Sequence, residues 1–154
     1  MSTNSPLTKT ANHKFVIVPR ILAGVPLLGF GVLHFIKPDH FRDILIASDI
    51  PMVELNMYAA PAAETIGGIL LLLGLFARVG GVLGIATMAV AIYTTILFSG
   101  MSVADLPGGL TEIPKVPPLP LPVMITVASL VVVAVGGGAW SLDLKNQSSP
   151  ATED

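Results

Sequence analysis

Ala59-Ala60-Pro61-Ala62-Ala63-Glu64-Thr65-Ile66-Gly67-Gly68-Ile69-Leu70-Leu71-Leu72-Leu73-Gly74-Leu75-Phe76-Ala77 is the stretch whose reading decides the fold. A hydrocarbon core about 30 Å thick is crossed by about 20 apolar helical residues, and this run has that length and character. Three other stretches resemble it: Phe15 to Ile36, Val79 to Phe98 and Leu121 to Trp140. Hydrophobic residues make up 53% of the 154-residue chain and charged ones 12%, and the mean hydropathy is +0.80. Soluble domains carry about one quarter charged residues, so the composition is that of an integral membrane protein. Glu64 is the one charged side chain in the quoted run. Ionisable groups within a span cost about 2.5 to 3.5 kcal/mol on insertion scales and persist where a partner, a cavity or a function offsets that cost.

These spans predict an all-α integral membrane protein, a four-transmembrane-helix antiparallel bundle with a short interfacial helix between spans one and two. Residues 1–14 and 146–154 are polar and are expected to be disordered tails, which leaves 15–145 as the membrane domain. The first span is preceded by Lys9 and Lys14 but is longer than a secretory h-region. It ends in Leu33-His34-Phe35-Ile36-Lys37 rather than in small residues, so it reads as a retained anchor. With both termini cytoplasmic, the inner side holds Lys9, Lys14, Arg20, Arg78 and Lys145 and the outer side Lys37, Arg42 and Lys115, as the positive-inside rule prefers. The chain has no cysteine, which excludes disulfide exchange and thiolate metal sites within it. No basic run or nucleic-acid motif occurs, so no nucleic-acid partner is expected.

Between the first two spans, Phe41, Ile44 and Leu45 share a helical face opposite Asp39, Arg42 and Asp43, the pattern of a short helix lying on the outer interface. The linker Gly100 to Pro120 contains Pro107, Pro114, Pro117, Pro118 and Pro120, which disfavours helix. It reads as a stiff connector or as an outer cap. Pro26 lies inside span one and predicts a kink there.

Arg20, Gly24, Leu27, Gly31 and His34 fall on one stripe of span one. Glu64, Gly68, Leu71, Leu75 and Arg78 repeat the same offsets on span two. Antiparallel packing sets His34 level with Glu64 toward the outer side and Arg20 level with Arg78 toward the inner side. The candidate ligand-binding residues are therefore His34 and Glu64, with Lys37 as a rival partner for Glu64 and with Gly31 and Gly68 giving room. One carboxylate and one imidazole make no complete catalytic set, so no catalytic residue is assigned. The pair reads either as a register-fixing hydrogen bond or as a site that holds a quinone carbonyl or moves a proton. Arg20 and Arg78 are read as snorkelling to the inner headgroups, with an anion or lipid-phosphate site as the alternative. His34, Asp39, His40 and Asp43 match no strong metal motif, and no metal site is assigned. Tyr58 is expected at the interface and Tyr93 in the packed core.

Taken in order, Arg20-Ile-Leu-Ala-Gly24, Gly31-Val-Leu-His34-Phe35, Pro38, Phe41, Pro51, Glu64-Thr-Ile-Gly67-Gly68-Ile-Leu-Leu-Leu-Leu-Gly74, Arg78 and Ser141-Leu142-Asp143 resemble the DoxX family of small four-helix membrane proteins. The resemblance runs over about residues 15 to 145. It implies a bundle in the cytoplasmic (inner) membrane and a redox setting, because relatives include membrane subunits of thiosulfate:quinone oxidoreductase, partners of oxidative-stress complexes and, further off, receptor-assembly chaperones. No flavin, haem or iron–sulfur motif occurs. The expected role is thus an accessory or quinone-associated subunit of a membrane redox complex. Quinone is the expected ligand, and the expected partners are the bilayer and an oxidoreductase subunit, with a second copy of the chain as a further alternative. A small hydrophobic-solute carrier and a membrane-protein assembly factor are the other readings.

Overall fold

A computed structural model describes residues 5–148. Among them every regular element is helical. The α-helices are α1 (Ile17–Ile36), α2 (Pro38–Ala47), α3 (Val53–Leu73), α4 (Ala77–Ser99), α5 (Pro120–Val135) and α6 (Leu142–Ser148). Single 3-10 turns occupy Lys14–Val16 and Val103–Asp105. The segments Lys14–Ile36, Val53–Leu73 and Ala77–Ser99 are long and apolar enough to cross a membrane, whereas α5 is apolar but has only 16 residues. At about 1.5 Å per residue α5 is about 24 Å long. The chain is a helical, multi-pass membrane protein.

α1 packs on α3, α3 on α4, α4 on α5 and α5 back on α1. Ala23, Leu27, Leu71, Met88, Ile125 and Val132 fill the space between them and are all but inaccessible. The α1–α3 contact is a backbone contact. A Cβ added to Gly68 would lie 2.6 Å from the Leu28 nitrogen and 2.9 Å from the Gly24 oxygen, and one added to Gly31 would lie 2.6 Å from the Thr65 nitrogen. Glycine at these positions lets two helices approach where lipid supplies no hydrophobic drive. α1 continues through Pro26 and α3 through Pro61 without a break in helical assignment.

The second span differs from its sequence reading at both ends. It starts six residues earlier, at Val53 rather than Ala59, and ends at Leu73. Gly74 (φ 63°) and Phe76 (φ 45°) then turn the chain through left-handed conformations. Leu75 N–H donates to Leu70 O at 3.1 Å and Gly74 N–H to Leu71 O at 3.2 Å, which satisfies the carbonyls of the last turn. Leu75 and Arg78 therefore leave the α3 stripe, and Arg78 belongs to α4. Because the helix begins early, Glu64 lies eleven residues from Val53 and nine from Leu73, about 16 Å and 14 Å along the axis. It sits near the middle of the span.

The end where α3 turns into α4 is knotted by side chains from distant parts of the chain. The Asp143 carboxylate, 1% exposed, accepts the Phe76 N–H at 2.9 Å and the Ala77 N–H at 3.0 Å, which caps the start of α4. Residues 5–13, expected within a disordered tail, run alongside. Thr10 Oγ1 accepts the Gly138 N–H at 2.7 Å and His13 O the Ala139 N–H at 3.1 Å. At the C-terminal end, residues 146–148, also assigned to a tail, continue α6, while 1–4 and 149–154 lie outside the described residues.

At the opposite end α2 forms as the sequence predicts, with Phe41, Ile44, Leu45 and Ala47 buried. The proline-rich linker folds back over it. Leu106, Leu110, Ile113 and Val116 pack on a small core of Ile44, Ala47 and Phe98, so the linker is a cap.

Asp143→Ala leaves two helix-terminal N–H groups unpaired in a buried place, which is expected to cost about 1 to 3 kcal/mol. Melting in mild detergent should show the loss, with Asp143→Asn falling between the two proteins. A change in Asp143→Ala within experimental error would mean that the cap contributes nothing.

Candidate functional site: a cavity at a buried His–Glu pair

His34 lies two residues before Ile36, the last residue of α1, and Glu64 lies at mid-length of α3. The antiparallel contact brings His34 Nδ1 to 2.9 Å from Glu64 Oε2. Their side chains are 18% and 7% exposed, so the pair is largely withdrawn from the surface. A carboxylate can only accept, so with Glu64 ionised the Nδ1 proton of His34 makes the bond. The imidazole is also held by aromatic rings. Phe41 of α2 stacks on it at 4.2 Å between centroids, and Phe30, one turn earlier on α1, lies at 6.4 Å.

The pair lines a cavity of about 310 Å³ between α1, α2, α3, α4 and the linker. It exists because small side chains face one another there: Ala59 and Ala60 on α3, and Ala86 and Ala91 on α4. Val116 and Pro117 of the linker and Pro122 of α5 complete the wall. Most polar groups in the lining are already engaged. Thr87 Oγ1 donates to Leu83 O at 3.1 Å, Thr94 Oγ1 to Ala91 O at 3.1 Å and Thr95 Oγ1 to Ala91 O at 2.7 Å. The Asn56 amide donates to Pro51 O at 2.8 Å. The His34–Glu64 pair is thus the polar feature set in an apolar chamber. Such a chamber, with few convergent polar groups, is the usual form of a small-molecule site. A second cavity, of about 500 Å³, shares Phe30, His34, Ile44, Val116 and Pro117 with the first and is also bordered by Lys37, His40 and Lys115.

Of the residues expected at the site, His34 and Glu64 come together. Lys37 is exposed, lines the second cavity, and leaves Glu64 to His34. Gly31 and Gly68 border neither cavity; they are the points where α1 and α3 touch. Arg20 does not reach for headgroups or an anion. It is 1% exposed, and its Nε donates to Leu71 O at 2.8 Å, Nη2 to Leu72 O at 2.7 Å and Nη1 to Gly137 O at 3.1 Å. Burial without an acidic neighbour in contact is tolerable because main-chain carbonyls at a helix end are free to accept. Arg78, on α4 rather than α3, is half-buried and donates to Pro6 O at 3.1 Å and Ala134 O at 3.4 Å. Tyr93, expected in the core, is 49% exposed on α4, and Tyr58 is 68% exposed. His40 Nε2 lies 2.9 Å from Lys115 O, which ties α2 to the cap. The alanines, Asn56 and the threonines of the cavity are additions to the sequence reading. The signal for the threonines was their recurrence with Ala91 along one face of α4.

Replacing one partner of the pair strands the other in an apolar setting, at about 1 to 3 kcal/mol. Glu64→Leu is therefore expected to melt lower than Glu64→Gln, whose amide still bonds the imidazole. His34→Leu, Glu64→Leu and the double variant form a cycle whose coupling should exceed about 0.5 kcal/mol. Strict additivity would mean that the contact has no energetic weight.

No curated protein and no solved structure matches the chain. A family model described as DoxX matches residues 15–98, which takes in α1, α2, α3 and nearly all of α4, together with His34 and Glu64. That match covers more than half of the sequence, and the chain belongs to the DoxX family.

Proposed function

We propose that this protein is a membrane-embedded accessory subunit of a redox complex, without catalytic residues of its own, that holds a quinone head group in the cavity beside His34 and Glu64. The observation that carries the reading is a buried pair able to donate and accept hydrogen bonds, set at the edge of an otherwise apolar chamber. The volume of about 310 Å³ suits a single ring with its substituents. The imidazole and carboxylate can shift a proton between them as a carbonyl oxygen gains or loses charge. Electron transfer would then fall to a partner oxidoreductase subunit. The apolar lining favours a second reading, a carrier of small hydrophobic solutes.

The orientation belongs to the same proposal. α5 and the loop through Trp140, which is 71% exposed, together form a fourth crossing, with the indole at the headgroup level. Four crossings put both termini on the cytoplasmic side of the inner membrane, the side favoured by the Lys and Arg distribution. The wild type has no cysteine, so single cysteines are clean reporters. Ser5→Cys and Asn146→Cys should be shielded from an impermeant probe in intact cells, whereas Glu112→Cys in the linker should react. The reverse pattern would invert the topology.

The purified protein is expected to bind a short-chain quinone, and His34→Ala is expected to weaken that binding about three- to tenfold, the value of one hydrogen bond of about 0.5 to 1.5 kcal/mol. Isothermal titration calorimetry would measure it. Equal affinity in wild type, His34→Ala and Glu64→Ala would remove the site.

A further inference from the structure

The hairpin of α3 and α4 is tight at one end and open at the other. Near the turn the two backbones touch: a Cβ on Gly80 would lie 2.9 Å from the Gly67 oxygen. Farther from the turn the facing residues are Ala59 and Ala60 on one helix and Ala86, Val90 and Ala91 on the other, all of which border the 310 Å³ cavity. Ala59, Ala86 and Val90 are at the same time exposed on the outer faces of their helices. A residue that both lines a cavity and lies on the surface marks where the cavity opens. That opening lies deep in the span: Ala86 is nine residues from Ala77 and thirteen from Ser99, about 14 Å and 20 Å. α4 is long and apolar enough to cross a membrane, so its outer face at this depth meets hydrocarbon.

We propose that the gap between α3 and α4 is a lateral portal to the lipid, and that the ligand is an amphiphile with a ring-sized polar head and a long apolar tail. Its head enters sideways and stops against His34 and Glu64, while its tail stays between Ala59 and Ala86 and runs on into the bilayer. Two observations fit this direction of entry. The cap formed by α2 and the linker closes the chamber on another side with Phe41, Ile44, Leu45, Val116 and Pro117. The threonine hydroxyls on the α4 wall are bonded back to their own helix, so an alkyl chain meets no unpaired donor there. The proposal rests on the head-group reading of the cavity and adds to it the route and the tail.

The test compares two probes, a short-chain quinone and a quinone bearing several isoprene units, on the full-length protein in lipid nanodiscs. Wild type is expected to bind both. Filling the gap with the double substitution Ala59→Leu/Ala86→Leu should weaken the tailed quinone at least tenfold more than it weakens the short-chain one. Val90→Trp, at the outer lip of the opening, should act in the same direction. Retained short-chain binding shows that the filled variants are folded. Unchanged affinity for the tailed quinone in both variants would overturn the portal alone, and so would parallel loss of both probes, which would place these residues in the head site. Failure of the wild type to bind either quinone would instead overturn the head-group reading, and the portal with it.

Discussion

A single guanidinium ties α1, the end of α3 and the loop after α5 together at one end of the bundle. Arg20 enters from α1, reaches the Leu71 and Leu72 carbonyls at the C-terminus of α3 through Nε and Nη2, and bonds the loop after α5 through Nη1. Carbonyls at a helix end carry partial negative charge and have no partner within the helix, so a cation there meets both an electrostatic and a hydrogen-bonding need. The Asp143 carboxylate lies within electrostatic reach of the same guanidinium while it caps α4. Gly74 is where these elements crowd. A Cβ there would sit 2.7 Å from Arg20 Cζ and 2.5 Å from Ser141 Cβ, and its φ of 63° already favours glycine.

The cavity follows from a contrast between two kinds of small residue. Glycines at 24, 31 and 68 remove side chains from an interface, and the backbones close up until nothing is left between them. Alanines at 59, 60, 86 and 91 lie where the helices have already diverged, and there the missing bulk stays as volume. The same economy of side-chain size gives close packing in one place and a chamber in the other. What decides between them is the neighbour each faces: the glycines lie where α1 meets α3, the alanines between α3 and α4.

This contrast also explains what could be read from the sequence. The His34–Glu64 contact was legible because helical offsets and antiparallel pairing fix which residues come level, and α2 was legible because Phe41, Ile44 and Leu45 repeat at helical spacing. The break after Leu73 was not, since Leu75 and Phe76 continue the apolar run and only a backbone angle separates them from it. Arg20 was misplaced at the headgroups for a related reason: its partners are main-chain carbonyls, which every residue has and no sequence marks. Asp143 could be read as part of a family pattern but not as the cap of a helix that begins 66 residues earlier in the chain. The glycines were recognised as a stripe, yet a stripe does not say whether it faces a ligand or another backbone.

The Arg20 contacts also set an order in time. Its bond to Gly137 spans 117 residues, and a ribosome adding about 5 to 20 residues per second needs roughly 6 to 23 s to cover that interval. During that interval α1 has already been delivered to the bilayer while part of its guanidinium's hydrogen-bonding capacity is unmet. The α3 carbonyls arrive about halfway through and take up Nε and Nη2, so the first three long helices can lock together before the last is made. The loop at Gly137 and the capping carboxylate of Asp143 follow only after the three long helices have been made.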